Sequence, residues 1–211
     1  MSDLAAIFSA QGVLANTIPN YRARVQQLEM AQAIATTIQH QQILVAEAGT
    51  GTGKTFAYLV PALLFGGKVI ISTGTKTLQD LPTIRAALKV PVTVALLKGR
   101  ANYVCHYRLE QTLESDQYKF TSRDEIIYLG LIERFAQNHQ TGDKSSLNKV
   151  PENAAIWQHV TSTRDNCLGS DCAYFKQCFV MEARKKALSS EVIVVNHHLF
   201  FADLMLRDEG L

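Results

Sequence analysis

Charge is scarce in this sequence. Only 19% of the 211 residues are Asp, Glu, Lys or Arg, while 47% are hydrophobic and no low-complexity block stands out. That balance excludes a disordered chain. Long apolar runs are also lacking. The most apolar stretches, Ala57–Phe65 and Val192–Val195, fall far short of the roughly 20 residues that cross a bilayer, so a membrane protein is excluded. The opening MSDLAAIFSA has no basic n-region of the kind that marks a secretory signal, and the expected location is cytoplasmic. Cysteine is sparse, at four residues. In a reducing compartment, four thiols point to metal ligation or to unrelated buried thiols rather than to disulfides.

What is present is enough for one core and a small satellite. The net charge of +2 is unevenly spread: residues 1–100 carry nine Lys/Arg against four Asp/Glu (+5), and residues 101–211 carry twelve against fifteen (−3). A basic first half suits a polyanionic partner such as nucleic acid.

Short Val/Ile-rich runs alternate with helical patterns. Ile43–Ala46, Lys68–Ser72, Val92–Leu97 and Val192–Val195 predict buried strands. Val25–Gln39 predicts a helix with Leu28, Ala31, Ala35 and Ile38 on one face. Lys54–Phe65 predicts another, with Pro61 as an interior irregularity, and Leu78–Leu88 a third that Pro82 starts or kinks. Strand–helix alternation is the pattern of a parallel α/β sheet. It stops near Leu97 and resumes at EVIVVN, which predicts a mostly helical insertion between Cys105 and Cys178. Asn138–Asn153 reads as a loop within it.

The sharpest signal is EAGTGTGKT, Glu47–Thr55, between an expected strand and an expected helix. This is the context a phosphate-binding loop requires. Gly49, Gly51 and Gly53 let backbone N–H groups turn inward around phosphate oxygens, with Ala48, Thr50 and Thr52 interleaved, and the start of the following helix adds its positive field. Lys54 is placed to reach the β- and γ-phosphates and the Thr55 hydroxyl to ligate Mg²⁺. These residues predict an ATP-type nucleotide site.

This loop, with Ala48 where the strict pattern has Gly, resembles motif I of the superfamily 2 helicases related to XPD and DinG, and within them the YoaA branch. RARVQQLEMA resembles their adenine-sensing Q motif, with Gln27 in the glutamine position and Arg24 before it; a side-chain amide carries the donor and acceptor that an adenine edge needs. VIISTGTKTLQ resembles motif Ia, whose hydroxyls and amides touch single-stranded DNA, which makes Thr73, Thr75, Lys76 and Gln79 the candidates. The sequence departs from the family where Asp80 runs directly into Leu81–Pro82, so the helix after motif Ia is expected to be shortened.

Cys167, Cys172 and Cys178 lie close in sequence, with Cys105 far upstream. Their spacing lacks the paired Cys-x-x-Cys of a zinc ribbon; by itself it leaves iron–sulfur, zinc and unligated thiols all open, since thiolates suit both metals. LLKGRANYVC and NCLGSDCAYFKQCFV resemble the two cluster-bearing segments of DinG-like helicases. The resemblance implies a 4Fe–4S cluster on Cys105, Cys167, Cys172 and Cys178. Around it are Lys98, Arg100, Arg108, Lys176, Arg184, Lys185 and Lys186, with Tyr103, Tyr107, Tyr174 and Phe175 between them. As a group they suit sequence-independent DNA binding by phosphate contact and stacking. Singly, they read as a solvated face and a small core.

The adjacent His197 and His198 are expected at the end of a strand, pointing to opposite faces, and no shared ion follows. The sequence contains no Asp-Glu-Ala-His box after the phosphate loop. The resemblance therefore implies the first part of a RecA-like, α/β P-loop motor domain, with residues 1–104 and 181–211 in the motor and 105–180 as the cluster domain. The implied whole is an ATP-dependent 5′→3′ helicase of DNA repair and replication, acting on single-stranded or forked DNA beside replication and repair proteins. The chain alone is expected to bind nucleotide weakly without turnover. The alternative is a non-catalytic module that binds zinc and nucleic acid.

Overall fold

The computed structural model describes residues 3–74, 80–114 and 122–208. In chain order the elements are α1 (Leu4–Phe8), α2 (Val13–Thr17), α3 (Val25–Gln39), α4 (Lys54–Phe65), β1 (Val69–Thr73), α5 (Asp80–Leu88), β2 (Val94–Leu97), α6 (His106–Glu114), α7 (Arg123–Asn138), α8 (Trp157–Val160), α9 (Phe179–Ser189), β3 (Val192–Asn196) and α10 (His197–Asp208). No described helix is long and apolar enough to cross a membrane. The chain divides into two compact units, Met1–Ala95 with Ser190–Leu211, and Leu96–Ser189.

The first unit is a small mixed α/β body. Its sheet has the order β1–β3–β2, and β1 runs parallel to β3 with Val69 opposite Val192 and Thr73 opposite Asn196. The four residues Val192–Val195 are all buried. A strand lying between two others and covered on both faces calls for such an uninterrupted apolar run. Glu191 stitches the start of β3 to the approach to β2: its carboxylate accepts from Thr93 N at 2.8 Å and Thr93 Oγ1 at 3.1 Å, while its own N–H donates to Thr93 Oγ1 at 3.0 Å. Helices α3 and α4 pack together. Ala31 of α3 and Ala57, Leu59, Val60 and Leu63 of α4 join Leu14, Ile84 and Val192 in one core. Pro61 is accommodated inside α4, although it removes one helical hydrogen bond.

The strand expected at Ile43–Ala46 is absent. Residues 43–46 take no regular structure, and Ile43 and Val45 stand 94% and 92% exposed. A strand exists only through a neighbour that completes its hydrogen bonds, and none of the three strands among the described residues pairs with this run. The histidine pair is corrected too. β3 ends at Asn196, and His197 and His198 open α10 instead of closing the strand. The cause is local: the Asn196 side chain accepts from His198 N at 2.8 Å, the helix-capping geometry that asparagine favours.

The second unit is mostly helical, and beyond the end of β2 it carries two isolated antiparallel bridges, Tyr103 with Asp143 and Val104 with Thr161. Helix α7 begins at Ser122, whose hydroxyl accepts from Glu125 N at 3.3 Å, with Asp124 and Glu125 in the first turn, where carboxylates oppose the helix dipole. Val104, Leu109, Leu129, Ile132, Ile156, Trp157, Val160 and Phe179 form its core. The Trp157 indole N–H satisfies itself on the Pro151 carbonyl at 2.8 Å.

Candidate functional site

The loop Glu47–Gly53 leads straight into α4, and its shape follows from two glycines. Gly51 and Gly53 both have φ +81°, the left-handed region that other residues enter only at a cost. Gly53 is doubly required, since a Cβ there would sit 2.0 Å from Gln27 Nε2. The Lys54 side chain folds back under the loop, donating to the Ala48 carbonyl at 2.7 Å and the Gly49 carbonyl at 2.9 Å. Thr52 Oγ1 closes the turn on Gly49 O at 2.9 Å. Lysine, helix start and exposed backbone thus lie together, and Thr55 sits half-buried in the first turn of α4. A cationic ammonium held only by neutral carbonyls can exchange them for phosphate oxygens, which form stronger, charge-assisted bonds.

Gln27, in the first turn of α3, is buried to 2%. Its Nε2 donates to the Gly53 carbonyl at 3.0 Å, and its Oε1 lies 3.1 Å from the Tyr21 hydroxyl. That hydroxyl also lies 3.2 Å from the Phe8 carbonyl, so its one proton is shared between two acceptors. Burial pushes the Tyr21 phenol above its ordinary pKa, with Arg24 opposing. Arg24 is exposed, its guanidinium 3.7 Å from the Cβ position of Gly53. Tyr21, Gln27 and the Gly53 turn are therefore one hydrogen-bonded unit, with Arg24 beside it. Tyr21 is a member that sequence reasoning missed, and nothing local in the sequence pairs it with Gln27.

Thr73 ends β1, opposite Asn196. Thr75, Lys76 and Gln79 lie outside the described residues.

In the second unit all four cysteines are half-buried and none forms a disulfide. Burial raises the Cys105 thiol pKa; a backbone N–H from Arg108 opposes this, and Cys178 and Cys172 add repulsion. Three sulfurs thus share one electrostatic neighbourhood. The fourth, Cys167 Sγ, accepts from Arg100 Nη1 at 3.1 Å. Soft thiolates are the right donors for iron–sulfur or zinc. As they stand, no three His, Cys, Asp or Glu side chains among the described residues are grouped so as to hold a metal ion.

The cations near these thiols are partly engaged. Lys98 Nζ pairs with Asp143 Oδ2 at 2.6 Å and donates to Ser145 Oγ at 2.9 Å. Burial alone would raise the Asp143 carboxyl, but the bonds from Lys98 and Ser145 outweigh it and hold the pKa below its ordinary value. Arg108 Nε is buried with no hydrogen-bond partner among the described residues, whereas Lys176, Arg184, Lys185 and Lys186 are exposed. Of the aromatics, Tyr103 is core at 3% exposure. Tyr174 donates its hydroxyl to Glu110 and stacks on His106, and Phe175 is exposed. The Asp124–Glu125 pair, an acidic couple the sequence reading passed over, belongs to the first turn of α7, which Ser122 caps.

No family model matches the chain. Individual relatives do. It is 46% identical over 99% of its length to the ATP-dependent DNA helicase YoaA of Haemophilus influenzae, covering 33% of that protein. It is 49% identical over 96% of its length to the Escherichia coli protein of the same name, covering 32%. More distantly, it is 32% identical over 93% of its length to a Bacillus subtilis protein named 3'-5' exonuclease DinG, covering 21%. The chain spans about a third of the length of the YoaA proteins it matches. Identity this high across nearly every residue supports the chain as a fragment of a DinG/YoaA-type helicase, about one third as long as its YoaA relatives.

Proposed function

We propose that this chain forms the nucleotide-binding and cysteine-bearing part of an ATP-dependent DNA helicase, on a RecA-like P-loop fold. The observation that carries the reading is the arrangement of Lys54 at the start of α4 beneath a loop turned by Gly51 and Gly53. Backbone N–H groups of residues 50–54 would surround the phosphates and the α4 dipole would reinforce them. Lys54 gives up its two carbonyls for β- and γ-phosphate oxygens, and Thr55 ligates Mg²⁺. Gln27 keeps a second N–H and a second lone pair for the adenine edge, so the base and the Gly53 turn are read through one amide, with Arg24 beside it.

Cys105, Cys167, Cys172 and Cys178 are the residues that would hold a 4Fe–4S cluster. When bound, it would supply a four-point cross-link between Cys105 and the Cys167–Cys178 stretch, in a unit that already has an apolar core of its own. DNA contact falls to Thr73, Thr75, Lys76 and Gln79. Lys98 is paired with Asp143 and Arg100 with Cys167, and each keeps further N–H donors for phosphate oxygens. In the whole protein, this assembly serves 5′→3′ unwinding of duplex DNA in repair and replication in the cytoplasm, binding single-stranded or forked DNA without base specificity because backbone contact and stacking do not read sequence.

The test is a titration of the chain with a fluorescent ATP analogue and Mg²⁺. Lys54→Ala removes a charged donor and is expected to weaken binding at least about tenfold. Equal affinity in the two proteins would remove the nucleotide site from Lys54.

A further inference from the structure

β1 and β3 run parallel, and their last rung is Thr73 opposite Asn196. Beyond that rung the ladder ends. One chain turns into α10, and the other continues past Gly74 toward the remaining motif Ia residues. At this divergence a side chain bridges the two. His197 Nδ1 lies 2.6 Å from Ser72 Oγ, one residue short of the rung. The same ring occupies the space beside Gly74, where a Cβ would come within 3.3 Å of His197 Cδ2 and 3.7 Å of Nε2. The ring is set from its own side as well: Asn196 caps His198 N, which fixes the first turn of α10, and Phe201 lies one turn on with its ring centroid 6.2 Å away.

We propose that His197 is a positioning residue for DNA contact: through Ser72 and Gly74 it fixes the direction in which the chain leaves β1, and so the placement of the Thr73 hydroxyl against the DNA backbone. This rests on the DNA-binding reading of motif Ia given above. Carboxyl ends of parallel strands are where α/β sheets place their ligands, so an aligning contact there acts on the ligand side. Neither Ser72 nor His197 belongs to the buried core of the first unit, and His197 is exposed. The bond is therefore a poor contributor to folding but well placed to set the geometry of a strand end. Either tautomer serves: Nδ1 accepts the Ser72 hydroxyl proton, or donates its own to Oγ.

The experiment measures binding of a fluorescein-labelled oligo-dT by anisotropy, for the 211-residue chain and for Ser72→Ala, His197→Ala, the double variant, His197→Asn and His197→Gln. Nucleotide affinity and melting temperature are recorded for each. Each alanine variant is expected to bind DNA about fivefold more weakly, as the loss of one hydrogen bond implies. The double variant should bind no more weakly than either single one, because both remove the same contact. His197→Asn, whose Oδ1 is the same number of bonds from Cβ as Nδ1, should restore affinity; His197→Gln should not. Nucleotide affinity and melting should stay constant throughout. The proposal is overturned if His197→Ala binds DNA like the wild type, if the two losses add, or if DNA binding falls only in step with melting temperature. A wild-type chain that holds no oligo-dT would instead remove the DNA reading itself, and this inference with it.

Discussion

Gln27 donates from Nε2 to the Gly53 carbonyl across 3.0 Å, at the turn where the Glu47–Gly53 loop becomes α4. The two residues are 26 positions apart in sequence, and a Cβ on Gly53 would displace the Gln27 amide from its bond to the turn. The glycines of the loop are therefore not equivalent, and substitution should separate them.

Gly53→Ala meets two obstacles, a φ of +81° and a Cβ 2.0 Å from Gln27 Nε2. It is expected to destabilise the chain by about 1–3 kcal/mol and to abolish nucleotide binding. Gly49 has no left-handed φ, and a Cβ there meets nothing within 4 Å. Gly49→Ala should melt like the wild type, and any loss it shows should appear only in nucleotide affinity. Thermal melts of the two variants check this; equal melting temperatures for both would refute the distinction.

Elements whose signals are local were legible in the sequence. The helices at Val25–Gln39 and Lys54–Phe65 stand at their expected bounds, because apolar spacing marks the first and flanking glycines the second. β3 was legible as a continuous apolar run and extends only to Asn196. β2 is shorter than the expected Val92–Leu97, starting at Val94, because Thr93 spends its groups on Glu191. The start of α10 had a signal that was passed over, an asparagine immediately before the two histidines. What could not be read was pairing between distant residues. The Ile43–Ala46 run has a strand's composition but no partner, and the Lys98–Asp143 and Arg100–Cys167 contacts join residues 45 and 67 positions apart. Lys98 and Arg100, read as DNA contacts from their charge, are engaged within their own unit for that reason.

Asp143 gives a pH signature. Its carboxyl pKa is held below the ordinary value of about 3.9 by Lys98 and Ser145. A carboxyl lowered on folding contributes stability that is complete above its unfolded pKa and is lost as pH falls through its folded one. Melting temperature should thus hold from neutral pH to about 4 and then decline. Asp143→Asn should lower the neutral-pH value and flatten that acid limb. A variant whose acid limb is as steep as the wild type's would assign the decline to other carboxyls.

The four cysteines predict a colour. Anaerobically purified chain should show a broad absorption band near 400 nm with about four irons per chain, and Cys105→Ser or Cys172→Ser should lose both. Because a bound metal adds its binding free energy to folding, chelation or serine substitution should also lower the melting temperature. Colourless protein carrying about one zinc would move the reading to the zinc-binding module, with nucleotide binding tested separately through Lys54.

Ile43 and Val45 are almost wholly exposed, one position apart on either side of Leu44 at 39%. They present two exposed apolar side chains on a run of strand-like composition, the kind of surface that natural sheets blunt with lysine. Two apolar side chains in water contribute nothing to the core of the first unit, so removing them should cost no stability. Ile43→Lys together with Val45→Lys is expected to leave the melting temperature within about 1 °C, since exposed substitutions alter stability little. It should also raise the concentration at which light scattering first reports association. If the double variant melts substantially lower, the two side chains are packed in solution, and the run is then a strand with a partner after all.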